Sequence, residues 1–343
     1  EANNDDIYYN RTGADIQTKS LRDFHNLVVK KSIINNVATR GDTLIDIAVG
    51  KGGDFTKWIA AKLSFVFGID ISRDNIENKV DGACARFLGL RKQYRVMPHV
   101  LFVQGNTALN IRDGEAMFTD KGKQITNAVF GVGTNDDKII GNGVARQYAK
   151  GKDGFNVTSC QFALHYFFEN RRTLEGFMRN IAECTKLGGY FIGGCYNGNR
   201  LFDMLKDEKR GGSMLIKDKQ GNMLCQIEKD YDETDFPDNI SSLGYRIRVY
   251  QDSINRYINE YLVSFPYLIR IMENYGFVPI TKVEAKELDL PNGIGSFRDL
   301  FTYAESKSRR DHHFKKQIGK ALHMSTAEKK ISFLNNYFIF KKV

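Results

Sequence analysis

The sequence predicts an α/β chain built on a doubly wound, mostly parallel sheet with helices on both faces. Three observations carry that prediction. Short apolar β-runs alternate with helical patterns along the first half of the chain, as a parallel sheet with crossover helices requires. The first run, at 43–49, opens a glycine turn in Asp46-Ile-Ala-Val-Gly-Lys-Gly-Gly-Asp54, and the helical pattern Phe55-Thr-Lys-Trp-Ile-Ala-Ala-Lys62 follows. The second run, Ser64-Phe-Val-Phe-Gly-Ile-Asp70, ends in an acid 24 residues after Asp46, where such folds place a carboxylate for ribose hydroxyls.

The glycine turn reads Gly50-Lys-Gly52-Gly53-Asp54 rather than G-x-G-x-x-G. Glycines reach positive φ cheaply and let backbone N–H groups face a ligand. An acid at Asp54, opening a helix, disfavours a pyrophosphate there and suits a sulfonium cofactor with an amino group. S-adenosylmethionine is therefore preferred over NAD. The bland alternative is a tight structural turn, and the strand, the helix and Asp70 together argue against it.

Of the 343 residues, 42% are hydrophobic, enough for a large core in one large domain or two small ones. The longest apolar runs, at 261–265 and 337–340, fall far short of the ~20 residues of a membrane span. No secretory leader opens the chain, and a start at Glu1 rather than Met is what a piece of a longer polypeptide would show. Cys84, Cys160, Cys184, Cys195 and Cys225 show no paired C-x-x-C spacing and an odd count. That argues against a disulfide framework and against a zinc site, and points to a reducing, cytoplasmic setting. The formal charge of +9 suits a polyanionic partner without proving one.

The remaining elements follow in order. Residues 1–20 read as a polar arm or linker. A helix is expected over 20–36, with Asn26 and Lys30 neighbours on one side, and another over 72–92. Strands are expected at 99–104, 155–162 and 188–194, with a helix at 171–187 after the fourth. The scattered glycines of 114–154 mark a mobile insertion and no phosphate loop. Because ligands sit at strand carboxyl ends, Gln161, Phe162, His165 and Tyr166 should face the same crevice as Gly50 and Asp70; on its own, a His-Tyr pair after a strand is more often structural. Residues 207–250 predict a small antiparallel excursion. Glu260 then lies at a strand-to-helix approach, ahead of a helix at 266–275 with Pro at its first turn. Strands at 277–283 and 333–340 would complete a seven-stranded sheet. Between them, 285–330 is a third insertion, in which 298–330 carries nine Lys/Arg against four Asp/Glu, ordinarily a solvated helix face.

Five stretches are similar to the messenger-RNA cap guanine-N7 methyltransferase family, a Rossmann-like class I methyltransferase family. They are Leu21-Arg-Asp-Phe-His-Asn-Leu-Val-Val-Lys30, Gly50-Lys-Gly-Gly-Asp54 with Lys57-Trp58, Gln161-Phe-Ala-Leu-His-Tyr166, Gly188-Gly-Tyr-Phe-Ile-Gly193, and Asn259-Glu-Tyr-Leu-Val-Ser-Phe-Pro266. Within the family the chain most resembles the C-terminal methyltransferase domain of capping enzymes from large cytoplasmic DNA viruses, asfarvirus-like, giant-virus-like and poxvirus-related. That resemblance implies one methyltransferase domain over 21–343, further capping domains on the same polypeptide, room for an activating subunit, and capped RNA as partner.

By resemblance, Lys30 pairs with the methionine carboxylate, Gly50 backs the cofactor, Asp54 takes its amino group and Asp70 holds the ribose, with Asn106 and Gln161 lining the same pocket. Asn26, Phe162, His165, Tyr166 and Glu260 would surround the cap guanine, Lys51 and Lys57 would lie near its phosphates, and the family's last-strand aromatic would be Tyr337. The chain departs from the family at Ala48, usually glycine, and at Asn106, usually aspartate. Guanine N7 carries a free lone pair, so no acid or base is expected: His165, Tyr166 and Glu260 position the purine, an effect that can supply roughly 7–11 kcal/mol. S-adenosylhomocysteine would be the product. Three readings remain beside this one: a non-catalytic RNA-binding module with a relic pocket, a cap 2′-O-methyltransferase, which would need a lysine set beside acids, and an NAD oxidoreductase, which Asp54 opposes.

Overall fold

The computed structural model describes residues 18–252 and 254–343. The arm expected at 1–20 lies outside the described residues except for its end, where Lys19 already opens the first helix.

Five strands alternate with helices as the sequence predicts: β1 (Thr43–Asp46), β2 (Phe65–Asp70), β3 (His99–Gln104), β4 (Phe155–Gln161) and β5 (Thr185–Tyr196). An antiparallel sheet follows, β6 (Ser213–Lys217), β7 (Met223–Asp230), β8 (Arg246–Gln251) and β9 (Arg256–Tyr261), and then β10 (Phe277–Pro279), β11 (Ile294–Ser296) and β12 (Asn335–Lys342). The main sheet runs β10-β12-β5-β4-β1-β2-β3. Strands β1 to β5 are parallel, and β12 enters antiparallel between β5 and β10. This is the class I methyltransferase arrangement. The short β11 adds an eighth strand to the seven expected, pairing the near end of β12 while β10 pairs its far end.

Every residue of β1 and β2 is buried, as helices on both faces demand. Leu44, Val66, Val157 and Ile339 point into one core with Phe24, Trp58 and Phe297. Ile45, Phe67, Phe191 and Phe338 point into the other with Phe177. Strand order reverses between β1 and β4, so the crevice opens at their carboxyl ends.

Four expectations change. The helix read over 72–92 is two, Arg73–Glu77 and Ala83–Arg91. Asn78 separates them, its side chain accepting from the N–H groups of Val80 and Asp81, a local bond that competes with helix. The segment 114–154 is a built crossover: the helix Asp120–Val129, N-capped by Thr119, buries Ala128 against Ile140 and Val144. The antiparallel excursion extends past 250 to include β9. Between β10 and β12, the basic stretch packs the helix Phe297–Arg310 through Phe297, Leu300, Phe301 and Ala304, with Phe297 and Phe301 edge-on to Phe24; only its other face is solvated.

The N-terminal helical run spans 19–35, and its middle, Phe24–Lys30, is wound as a π-helix. Its i→i+5 winding, uncommon and frequent at functional sites, sets Lys30 about one turn from His25 and Asn26.

Candidate active site

At the carboxyl end of β1 the chain turns through Gly50 (φ +56°) and Gly52 (φ +70°). A Cβ on Gly52 would lie 2.3 Å from the Phe55 ring, so this turn demands glycine twice over. Ala48, one step earlier, has no positive φ, and its N–H donates to Asp46 Oδ1 at 3.2 Å. The departure from glycine there strains nothing.

Asp70 ends β2 opposite this turn. Its Oδ2 accepts from Gly50 N–H at 2.7 Å, and its Oδ1 accepts from Ser72 N–H at 2.9 Å and Asn75 Nδ2 at 3.0 Å. Burial pushes its carboxyl up, and these donors oppose the shift. Asn106 follows β3 and accepts from Ala108 N–H through Oδ1 at 3.0 Å. Asn180, which the sequence reading missed, holds that turn by donating to the carbonyls of Thr107 and Leu109 and accepting from Ile111 N–H.

A charged knot joins the glycine turn to the N-terminal helix. Asp54 Oδ1 lies 2.9 Å from Lys57 Nζ and 3.5 Å from Lys30 Nζ, and Lys57 Nζ also donates to Gly53 O at 2.9 Å and Asn26 Oδ1 at 3.4 Å. Burial pushes the Asp54 carboxyl up, but the two ammonium groups outweigh it and leave it below its ordinary value. Asp46 lies beneath, where burial first, and then the Asp54 charge, push it up to about 8. Two expectations shift here. Lys57, expected near phosphates, is only 5% exposed and serves Asp54. Lys51 points to Asp81 at 2.8 Å and Asp74 at 3.1 Å.

Beyond β4 the backbone at Phe162 takes φ +56°, an αL conformation that costs a residue bearing a side chain and marks functional positions. Its ring stacks on His25 (centroids 5.2 Å apart) and has Lys30 Nζ at 5.6 Å. Gln161 is buried and donates to Ser159 Oγ at 3.2 Å. Next comes the 3₁₀ turn Leu164–Phe168. Strand β9 reaches it because Gly244 N–H donates to Phe168 O and Tyr261 OH donates to Glu169 Oε1, both at 3.0 Å.

That docking brings Glu260 to His165. Nδ1 and Oε2 stand 3.6 Å apart, too far for a hydrogen bond. Both residues are 5% exposed, yet both His165 nitrogens and Glu260 Oε2 have no hydrogen-bond partner. Burial pushes Glu260 up to about 8 and His165 down to about 3. Tyr166 stands edge-on to His165, centroids 4.2 Å apart. Buried polar atoms without partners are rare and costly.

Tyr337 is not part of this site. It is fully buried, and its hydroxyl donates to Asn292 O at 2.9 Å and accepts from Asn292 N–H at 3.2 Å. Side chains alternate along β12, so Tyr337 turns with Ile339 into the core that holds Phe24. Among the described residues, no group of three or more His, Cys, Asp and Glu is placed to hold a metal, and no helix is long and apolar enough to cross a membrane.

The profile of the mRNA (guanine-N(7))-methyltransferase domain family matches residues 4–113 and 114–342. The chain is 26% identical to the protein named "Probable mRNA-capping enzyme" of Acanthamoeba polyphaga mimivirus, over 94% of this chain and 27% of that one. It is also 26% identical to the mRNA cap guanine-N(7) methyltransferase of Candida glabrata, over 94% of this chain and 67% of the relative. The chain thus spans about a quarter of the first relative's length and about two thirds of the second's. A solved structure, the CcbJ methyltransferase from Streptomyces caelestis, is similar at 10% identity and a TM-score of 0.46, covering 93% of this chain and 90% of that one. With the profile matched along nearly its whole length, the chain belongs to the mRNA (guanine-N7)-methyltransferase domain family.

Proposed function

We propose that this chain methylates guanine N7 of a 5′ GpppN RNA cap, with S-adenosylmethionine as methyl donor. The single observation that carries the reading is the buried His165–Glu260 pair, in which both imidazole nitrogens and Glu260 Oε2 have no hydrogen-bond partner. The purine edge offers two donors, N1–H and N2–H, to a carboxylate, and O6 as an acceptor.

The residues fit the donor. Lys30 and Asp54 present an ammonium and a carboxylate 3.5 Å apart, the charge complement of an α-amino acid. Asp70, its oxygens already carrying three donors, has lone pairs left for ribose hydroxyls. Asn106 would meet the adenine edge, and Gln161 would line the floor. S-adenosylmethionine, when bound, supplies an electrophilic methyl on sulfur.

The protein's own work is positioning. N7 needs no proton removed, which agrees with a His165 held neutral by burial. Glu260 would hold the N1/N2 edge and, once ionised, stabilise the positive charge that the ring gains on methylation. Asn26, Phe162 and Tyr166 would close the pocket around the base. The buried setting strengthens these contacts by excluding water. Lys51 and Lys57 are spent on Asp74, Asp81 and Asp54, so the cap phosphates need other cations, for which the basic stretch 298–330 is the candidate.

The mimivirus relative's name and the quarter of it covered here support a methyltransferase segment within a larger capping polypeptide; an activating subunit is compatible with that arrangement. The five free cysteines accord with a reducing cytoplasm. The test is incubation with labelled GpppA and S-adenosylmethionine, then nuclease digestion. Label on guanine N7 supports the reading. Label on a ribose 2′-oxygen favours the cap 2′-O activity, and binding of GpppA with no transfer favours a relic pocket.

A further inference from the structure

The His25 ring is held on three sides. It stacks on Phe162 with 20° between planes, meets Phe297 edge-on at 5.1 Å, and its Nε2 shares a 2.9 Å hydrogen bond with Ser332 Oγ. Ser332 is fully buried at the end of the helix Thr326–Ser332. Burial, with the Lys30 charge adding to it, pushes the imidazole down to about 3 and keeps it neutral. Neither stacking nor the serine bond involves the reacting groups directly.

What the ring supports is a residue under constraint. Phe162 sits at φ +56° with its N–H donating to Gly194 O at 2.8 Å, and a non-glycine residue persists there only when its surroundings over-determine it. Phe297 packs edge-on to both rings, at 5.9 Å from Phe162. The two rings therefore form a wedge, with His25 behind and Phe162 in front, next to Lys30. His25 shares the π-helical turn with Asn26 and Lys30, so one turn places both the methionine-facing cation and the backing of the aromatic wall.

We infer that His25 is a positioning residue that fixes the Phe162 ring against the guanine pocket. This rests on the function proposed above. The ring acts by stacking, so a stacked carbocycle should replace it and an aliphatic of similar volume should not.

The experiment compares His25→Leu with His25→Phe, each measured for GpppA affinity by calorimetry in the presence of S-adenosylhomocysteine, for S-adenosylhomocysteine affinity alone, and for KM and kcat. His25→Leu should weaken GpppA binding and raise KM roughly three- to tenfold, in line with the ~0.5–1.5 kcal/mol of an aromatic pair, while kcat and S-adenosylhomocysteine affinity stay within twofold. His25→Phe should stay within twofold of wild type in all four. In a Phe162→Leu background, His25→Leu should add less than twofold, as a residue acting through Phe162 requires. The inference is overturned if His25→Leu matches wild type, if both variants lose GpppA affinity equally, if His25→Leu weakens both ligands by one factor, or if its effect survives intact in the Phe162→Leu background. A wild-type protein that binds S-adenosylhomocysteine but neither binds nor methylates GpppA overturns the function reading instead.

Discussion

Glu260→Gln isolates the charge at the purine edge while keeping the side chain's shape. In the proposed complex the carboxylate accepts from N1–H and N2–H of guanine. Glutamine keeps one acceptor and turns an NH2 toward a donor, so one charge-assisted bond is lost and one N–H is left facing another. At about 1.5–3 kcal/mol for such a bond, with part of a mispaired donor added, the cost is about 2–4 kcal/mol, or roughly 30- to 1,000-fold in kcat/KM at 1.36 kcal/mol per decade. The pH dependence is a second signature. Free Glu260 titrates at about 8 because it is buried, so below that pH the acceptor must first lose a proton. Wild-type kcat/KM for GpppA should rise with pH and level above about 8, and the Glu260→Gln profile should be flat there. Stability should run the opposite way. A folded pKa raised above the ordinary 4.5 means the folded state holds its proton longer, so this stabilisation is full below 4.5 and is lost as pH rises through 8. Glu260→Gln should therefore gain in Tm over wild type as pH climbs from 4.5 to 8. Initial rates on GpppA and thermal melts across pH 5–9 read both. A variant within threefold of wild-type kcat/KM, with the same inflection near pH 8, would refute the assignment of Glu260.

Three further outcomes are expected. Asp70→Asn should weaken S-adenosylmethionine binding by roughly 10- to 150-fold, the worth of a charge-assisted bond of about 1.5–3 kcal/mol, and leave GpppA affinity alone; calorimetry with each ligand decides. Tyr337→Phe strands the Asn292 carbonyl and N–H and should cost about 1–3 kcal/mol of stability in urea melts, with kcat and KM unchanged; a raised KM would return Tyr337 to the site. His165 is held neutral down to about pH 3, so the rate profile should show no inflection near 6.5, and one that disappears in His165→Asn would contradict that.

The sheet was legible because its strands are buried on both faces. Runs such as Ser64-Phe-Val-Phe-Gly-Ile-Asp70 have no polar alternation and end in the residue that the fold uses. That Gly50, Asp54 and Asp70 come together was legible too, since they lie within one β-turn-α-β unit, where chain distance tracks spatial distance. The meeting of His165 with Glu260 was not legible from pattern alone. His165 and Glu260 meet only because β8 and β9 dock on the 164–168 turn through Gly244 and Tyr261, and no local periodicity encodes that docking. Lys57 was placed near the phosphates by resemblance; in the structure Asp54 three residues before it and Asn26 hold it inward. Tyr337 misled through register: Asn335 and Asn336 precede it without an apolar-polar alternation to fix parity, and a one-residue slip in a strand reverses the face. The split of 72–92 turned on Asn78, whose side-chain bonds to Val80 and Asp81 no helical apolar count includes.

Two groups of buried polar residues at the strand carboxyl ends differ in how they are spent. Around the glycine turn the charged groups are already engaged: Lys30 and Lys57 on Asp54, Lys51 on Asp74 and Asp81, and Asp70 on three uncharged N–H donors. An incoming zwitterion can exchange with the Lys30–Asp54 pair, which offers one charge of each sign. On the other side, His165 and Glu260 sit buried, 3.6 Å apart, and unpaired. Each unsatisfied group costs about 1–3 kcal/mol. Under the proposed function they would meet a ligand edge carrying donors and an acceptor together, and a guanine has that pattern on its N2, N1 and O6 atoms. Bonds to N1 and N2 use none of the lone pair on N7, so a guanine held in that way would keep N7 free for methyl transfer.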